Sequence, residues 1–261
     1  MPSKYKYIEK KIRKYRKNFS NIKFKEKLMN YVYKIGIYSS KDFELKEDLV
    51  RRKIIFPCRL GILFCETGLA ESFFEELSNK LNNVFDSFFF TIQNLGRYTF
   101  SDHMLKKAVK NANKKGKDFA EKNYNLHSTN KFYTILIQER VKHDLDMIAA
   151  ITDLPLFSSH DDTILFLFGE AHLKHACCII STLKLKESFY NRKENQRLLE
   201  QRIIKEVIHE IGHFFLGHEH CVDQSCVFCF SNNLDDIDNK AIHFCNSCQQ
   251  KFEDLKTKFN I

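Results

Sequence analysis

Residues 209 to 221 read HEIGHFFLGHEHC, with four histidines, a glutamate and a cysteine in thirteen positions. His209 and His213 are four apart in a stretch with helical periodicity, so their imidazoles project from one face about a turn apart. That spacing suits two ligands of one zinc ion. Glu210 cannot comfortably join the same ligand set. Its carboxylate can lean over the open side of the metal and take a proton from a water that zinc has acidified to a pKa of about 7. By itself H-E-x-x-H is weak evidence, and here its context carries it. The motif lies in a long amphipathic helix, Gly217 ends that helix, and two more histidines follow within three residues. A turn at the glycine lets a third imidazole, from His218 or His220, swing back to complete a three-His site with an open fourth position.

A second set is built from cysteine. Cys221 and Cys226 are separated by four residues, and Cys245 and Cys248 form a C-x-x-C pair after an 18-residue loop. Two thiolate pairs at that distance match a closed, tetrahedral structural zinc. Cys58, Cys65, Cys177 and Cys178 lie in apolar runs and read as small core residues, while Cys229 is a spare thiol near the second set.

These groups need elements to hold them. The helix that carries the histidines is predicted from about Arg197 to Leu216, where Leu199, Ile203, Val207, Ile211 and Phe215 recur every fourth residue. Gly217 supplies its stop. Upstream, the apolar run around Ile54 to Phe56 reads as a first strand. An amphipathic helix follows, with Leu69, Phe73, Phe74, Leu77, Leu81 and Val84 near helical spacing, and then DSFFFTIQ as a second strand. KFYTILIQERVKHDLD fits a helix in its charged half and a strand in its apolar half. DMIAAITDLPLF reads as a strand leaving the core at Pro155. TILFLFGEA and HACCIISTLKL read as adjacent strands. Alternating strands and helices give a layered α/β or α+β domain. Residues 1–50 read as a basic, helical extension. Residues 51–256 form the main domain, divided at 217/218 into an N-terminal part and a cysteine-rich C-terminal part, and 257–261 are a tail.

The order His209, Glu210, His213, Gly217, His220, Cys221, Cys226, Cys245, Cys248 resembles the archaemetzincins, a branch of the metzincin zinc metallopeptidases. Their pattern is H-E-x-x-H-x-x-G-x-x-H-C, then x4-C-x-M, then C-x-x-C. ITDLPLF, LFLFGEA and CCIISTLKL look like that family's strands leading to the active-site helix. The resemblance implies a metzincin-like α+β fold: a twisted, mostly parallel sheet, an active-site helix and a small cysteine-rich C-terminal subdomain. It implies two zinc ions. His209, His213 and His220 would hold the catalytic one, with His218 the competitor for the third place, and Cys221, Cys226, Cys245 and Cys248 the structural one. Glu210 would be the general base. Phe166, Leu167, Phe168, Gly169, Glu170 and Ala171 would form the sheet edge beside the cleft, where an extended peptide pairs. Two positions depart from the pattern. Three residues, Phe214, Phe215 and Leu216, replace the two that precede the glycine. Phe228 stands where the family has a methionine that floors the metal site.

The chain of 261 residues is 43% hydrophobic and 13% aromatic, enough for a packed soluble core. Its longest apolar runs, such as Ile164–Phe168, are strand-sized and exclude a membrane-spanning helix. The N-terminus has no apolar segment after its charges and so does not read as a secretory signal, which points to an intracellular, cytoplasmic protein with reduced thiols. The first 27 residues hold eleven Lys and Arg against two glutamates, which is the whole net charge of +9. That run reads as a solvated face, and contact with nucleic acid is its lesser reading because no aromatic platform accompanies it. The leading function is a monomeric zinc peptidase acting on peptides or proteins. The alternative is a catalytically impaired, zinc-stabilised module that binds peptide, or nucleic acid through the leader. A hydrolase of another amide or ester is a third reading.

Overall fold

The computed structural model describes residues 54, 56–102, 105, 126–158 and 166–261. The basic extension, the lysine-rich stretch Lys106–Lys122 and residues 164–165 of the ILFLF run lie outside the described residues. In chain order the elements are β1 (Cys58–Cys65), α1 (Phe73–Phe85), β2 (Phe89–Tyr98), β3 (His127–Ser128), α2 (Thr129–Lys142), β4 (Met147–Thr152), β5 (Leu156–Phe157), β6 (Gly169–His172) and β7 (Cys177–Ser181). Three helices follow: α3 (Gln196–Leu216), α4 (Leu234–Asn239) and α5 (Asn246–Phe259).

Five strands form one sheet in the order β2-β1-β4-β7-β6. The first four are parallel, and β6 pairs antiparallel with β7 and closes one edge. This is a mixed α/β fold with a mostly parallel sheet, as the resemblance implies. A parallel sheet is covered on both faces, so its strands read as continuous apolar runs. All six residues of β4, MIAAIT, are buried. Alternate residues serve two cores. Leu60, Ile62, Met147, Ala149, Ile151, Cys178 and Ile180 face α1, α3 and the C-terminal part. Leu63, Cys65, Ile148, Ala150, Cys177 and Ile179 face Phe132 and Leu136 of α2. Each of these buried aliphatic side chains is worth about 1.5–3 kcal/mol relative to exposure.

Several boundaries differ from the sequence reading. The first strand starts at Cys58 rather than at Ile54–Phe56, because Pro57 has no N–H to give a ladder. Asp86–Phe88 turn as a 3-10 helix before β2, which then runs on to Tyr98. KFYTILIQERVK is a helix, with Phe132, Tyr133, Leu136, Ile137 and Arg140 buried at helical spacing. The run DMIAAITDLPLF breaks into β4 and β5, and β5 pairs with β3 in a separate two-stranded sheet. The edge strand starts only at Gly169. Phe166, at φ +55°, turns away to pack against Phe189, so Phe166–Phe168 lead into the strand without belonging to it. Helix α5 runs to Phe259, so residues 257–259 are helix where a tail was expected.

Candidate metal centre

Helix α3 carries the motif into the core. Asn195 caps its start by accepting a hydrogen bond from the Leu198 N–H at 3.1 Å. The stripe Ile203, Val207 and Ile211 is fully buried, which fixes the roll of the helix and so the direction of His209 and His213. Arg202, buried on the same helix, locks its position along the sheet. Its guanidinium grips Asp238 of α4 through Nε and Nη2, each at 2.6 Å. It also meets Glu187 at 2.6 Å and the Leu185 carbonyl at 2.8 Å.

The helix ends where the sequence places its stop. The Gly217 N–H closes a regular turn on the His213 carbonyl at 3.0 Å. Gly217 itself sits at φ +85°, ψ −162°, a region essentially reserved for glycine. The chain reverses there. The residue added before the glycine is absorbed as regular helix, with no bulge, and the reversal brings His220 back over the helix.

His209, His213 and His220 converge, with one ligand atom from each lying within 4.8 Å of the others. The His220 ring stacks on His209 at 5.1 Å and meets His213 edge-on at 4.9 Å. His218 lines the same cleft and stays outside this group. His209 Nδ1 hydrogen-bonds the Val227 carbonyl at 3.0 Å and His213 Nδ1 the Gly217 carbonyl at 2.7 Å. Each Nδ1 then carries the proton, and each Nε2 lone pair is left for a metal. Burial keeps both rings neutral, His209 far below its ordinary pKa and His213 at about 4. Burial, with the nearby charge of Lys240, also lowers His220. Three neutral imidazoles, two of them with tautomers fixed by backbone carbonyls, are a donor set that fits zinc.

Beneath them lies Phe228. Its ring centroid is 4.8 Å from that of His213 and 5.4 Å from that of His209. Gly212 makes room for it, since a Cβ there would come within 3.1 Å of Phe228 Cδ2. The phenylalanine therefore supplies an apolar floor.

Glu210 is buried against the sheet edge. A Cβ on Gly169 would stand 2.5 Å from Glu210 Oε1, so the carboxylate lies directly on the backbone of β6. Burial, with the charges of Glu206 and Glu170, pushes its pKa well above the ordinary carboxylate value. Helix, edge strand and the segment after Gly217 enclose a cleft of about 570 Å³. All six residues from Phe166 to Ala171 line it. The Glu170 carboxylate, however, is occupied: it accepts hydrogen bonds from the hydroxyls of Thr129 (2.5 Å), Tyr133 (2.7 Å) and Ser158. Lys184 lies over the ring of Phe168 at 4.5 Å.

Cys221, Cys226, Cys245 and Cys248 form the second cluster, their sulfurs within 4.8 Å of one another. Cys226 Sγ accepts N–H groups from Phe228 (3.4 Å) and Cys245 (3.3 Å), and Cys245 stands at the N-terminal boundary of α5, where the helix dipole favours a negative charge. Both arrangements favour thiolate. The Cys245 thiol falls below its ordinary pKa: burial raises it, and hydrogen bonds from the Cys248 N–H and the neighbouring thiols together outweigh that, while burial holds Cys226 at about 11. Four convergent sulfurs fit a closed tetrahedral zinc. Cys229 is buried beside the cluster and outside it; Cys58, Cys65, Cys177 and Cys178 are core residues.

Seven residues lining the cleft escape the sequence reading: Ser158, Lys184, Glu206, Phe230, Ser231, Asn232 and Lys240. Glu206 carries a faint signal, a charge one turn before Glu210 on a helix otherwise buried there. Lys240 lies 30 residues beyond Glu210 with no local pattern to mark it.

Residues 61–254 match the family model of peptidase family M54. An archaemetzincin of Methanocaldococcus jannaschii is 36% identical over 131 residues, covering 50% of this chain and 70% of that protein. One from Saccharolobus solfataricus is 38% identical over 133 residues, covering 45% of this chain and 69% of its own. Among solved structures, the archaemetzincin of Methanopyrus kandleri shares the fold. Its TM-score is 0.55 at 20% identity, over 76% of this chain and 94% of that one. The chain belongs to peptidase family M54, among the archaemetzincins, and is a zinc metallopeptidase.

Proposed function

We propose that His209, His213 and His220 hold a catalytic zinc, that Cys221, Cys226, Cys245 and Cys248 hold a second, structural zinc, and that Glu210 is the general base for peptide-bond hydrolysis. The observation that carries this reading is the convergence of three neutral imidazoles, two of them anchored on backbone carbonyls, beside a buried carboxylate in one cleft. When bound there, zinc supplies Lewis acidity to the scissile carbonyl and to a water. Glu210 takes the proton of the attacking water and returns it to the leaving amine. Its raised proton affinity, due first to burial, suits it to hold that proton between the two transfers. Strand β6 ends the sheet, and its outer backbone receives an extended peptide as a further strand. Phe228 keeps the site dry from below.

The test combines metal analysis with cleavage of a broad peptide library. Purified protein is expected to carry two zinc ions, one with nitrogen and one with sulfur ligands by X-ray absorption. Glu210→Gln is expected to lower turnover by roughly 10²–10⁴-fold at unchanged zinc content. Protein holding two zincs that cleaves no peptide, with Glu210→Gln behaving identically, would sink the enzymatic reading in favour of a binding module.

A further inference from the structure

The proposed reaction gives a task to neither lysine of the cleft; Lys184 lies over the ring of Phe168, and Lys240 is the one whose Nζ is buried unpartnered. Lys240 directly follows α4, is 4% exposed, and its Nζ is buried with no hydrogen-bond partner. It lines the cleft that holds His209 and Glu210. Glu206, one turn before Glu210, lines it too, and its Oε1 is also buried without a partner. Burial holds the Glu206 carboxyl above its ordinary pKa against the attraction of Lys240, so the two feel each other without closing an ion pair.

The neighbouring cations make the contrast. Lys205 gives its Nζ to the carbonyls of Ile237 and Asp238, each at 2.9 Å. Arg202 is satisfied by Asp238, Glu187 and Leu185. Of the three basic residues packed around α4, the orphan is the one that faces the cleft. A buried ammonium without an anion is costly, and that cost is relieved when a ligand brings the anion. A substrate backbone carbonyl would satisfy one N–H and leave the charge uncompensated. A carboxylate would satisfy both the donor and the charge.

We infer that Lys240 receives a carboxylate of the bound peptide, either an acidic side chain next to the scissile bond or the chain terminus, and that this contact sets the specificity of the cleft. The inference rests on the peptidase reading. Glu206 is the competing carboxylate: it partly offsets the charge of Lys240 without closing an ion pair, and so limits how tightly the substrate's anion is held.

The experiment uses the zinc-loaded full chain and matched peptides with Glu, Gln or Lys beside the cleaved bond, each with a free and an amidated C-terminus. The wild type is expected to favour a carboxylate-bearing peptide over its neutral match by about tenfold or more in kcat/KM, the fold-change of one charge-assisted hydrogen bond. A preference that survives amidation assigns the side chain, and one abolished by it assigns the terminus. In Lys240→Met the ratio is expected to collapse towards one. In Glu206→Gln it is expected to rise, and this opposite sign decides the matter should Lys240→Met fail to fold. An absence of preference in the wild type, or an unchanged ratio in Lys240→Met, overturns the inference. The same peptide pairs are also titrated by fluorescence anisotropy into Glu210→Gln protein. A binding ratio that depends on Lys240, in a protein whose wild type cleaves nothing, would retain the carboxylate contact and reject hydrolysis.

Discussion

The groups proposed to do the chemistry are oriented by backbone atoms. His209 and His213 each spend Nδ1 on a carbonyl, and Glu210 rests on the Cα of Gly169, where any side chain would intrude. Gly169→Ala is therefore expected to displace the Glu210 carboxylate. Its effect should fall on kcat, by up to about 10²-fold, because an ångström of misplacement costs that much. Melting should change by no more than about 1 kcal/mol, since the displaced atoms are the free end of a side chain. Steady-state kinetics beside calorimetry separates the two. His220→Ala should drop the zinc content from two per chain to one and leave the sulfur-ligated ion in place, whereas His218→Ala should keep both. Loss of zinc from His218→Ala would exchange their roles. At this scale the sequence was informative where chemistry demands fixed spacing, as in His209, Glu210, His213 and the four cysteines. It was silent on Glu206 and Lys240, which are 34 residues apart and meet only because α4 folds against α3.

Among the elements, α3 was legible to within one residue. An apolar residue every fourth position and a terminating glycine are local signals, and the buried stripe obeys them. Strand β6 was legible only in part. GEAH has no alternation and is half-buried throughout, so its strand character comes from pairing with β7 rather than from its own side chains. The apolar half of α2 looked like a strand because Tyr133, Ile135, Leu136 and Ile137 crowd together. Their helical form follows from packing on β4 and β7, which no local pattern shows. Gly217 is the element boundary on which the site depends. At φ +85°, ψ −162°, Gly217→Ala is expected to cost about 1–3 kcal/mol of stability, measured by urea denaturation, and to weaken the site by shifting the carbonyl that holds His213.

Across the whole molecule, the cysteine-rich part is more than an appendage. Phe252 of α5 packs against Phe85, Phe88 and Phe215, and Lys256 reaches Asp86 at 3.1 Å, so α5 shares a core with the sheet and α3. His220 and Cys221 are neighbours in the chain, which ties the histidine cluster to the cysteine cluster. Cys248→Ser is expected to lower the melting temperature on the order of 10 °C, from a loss of about 3 kcal/mol in a domain of this size. It should reduce occupancy of the histidine site as well, which metal analysis at limiting zinc would reveal. Chelation should reproduce both effects and added zinc should reverse them. No described helix is long and apolar enough to cross a membrane. The added residue between His213 and Gly217 bears on how relatives of this chain are to be found. The helix runs on to Leu216 and His220 still returns to His209 and His213, so distance along the chain is free to drift while the cluster forms. A census of such sites by fixed letter counts would pass over this chain; one that asks where the helix stops, and which imidazole the reversal returns, would keep it.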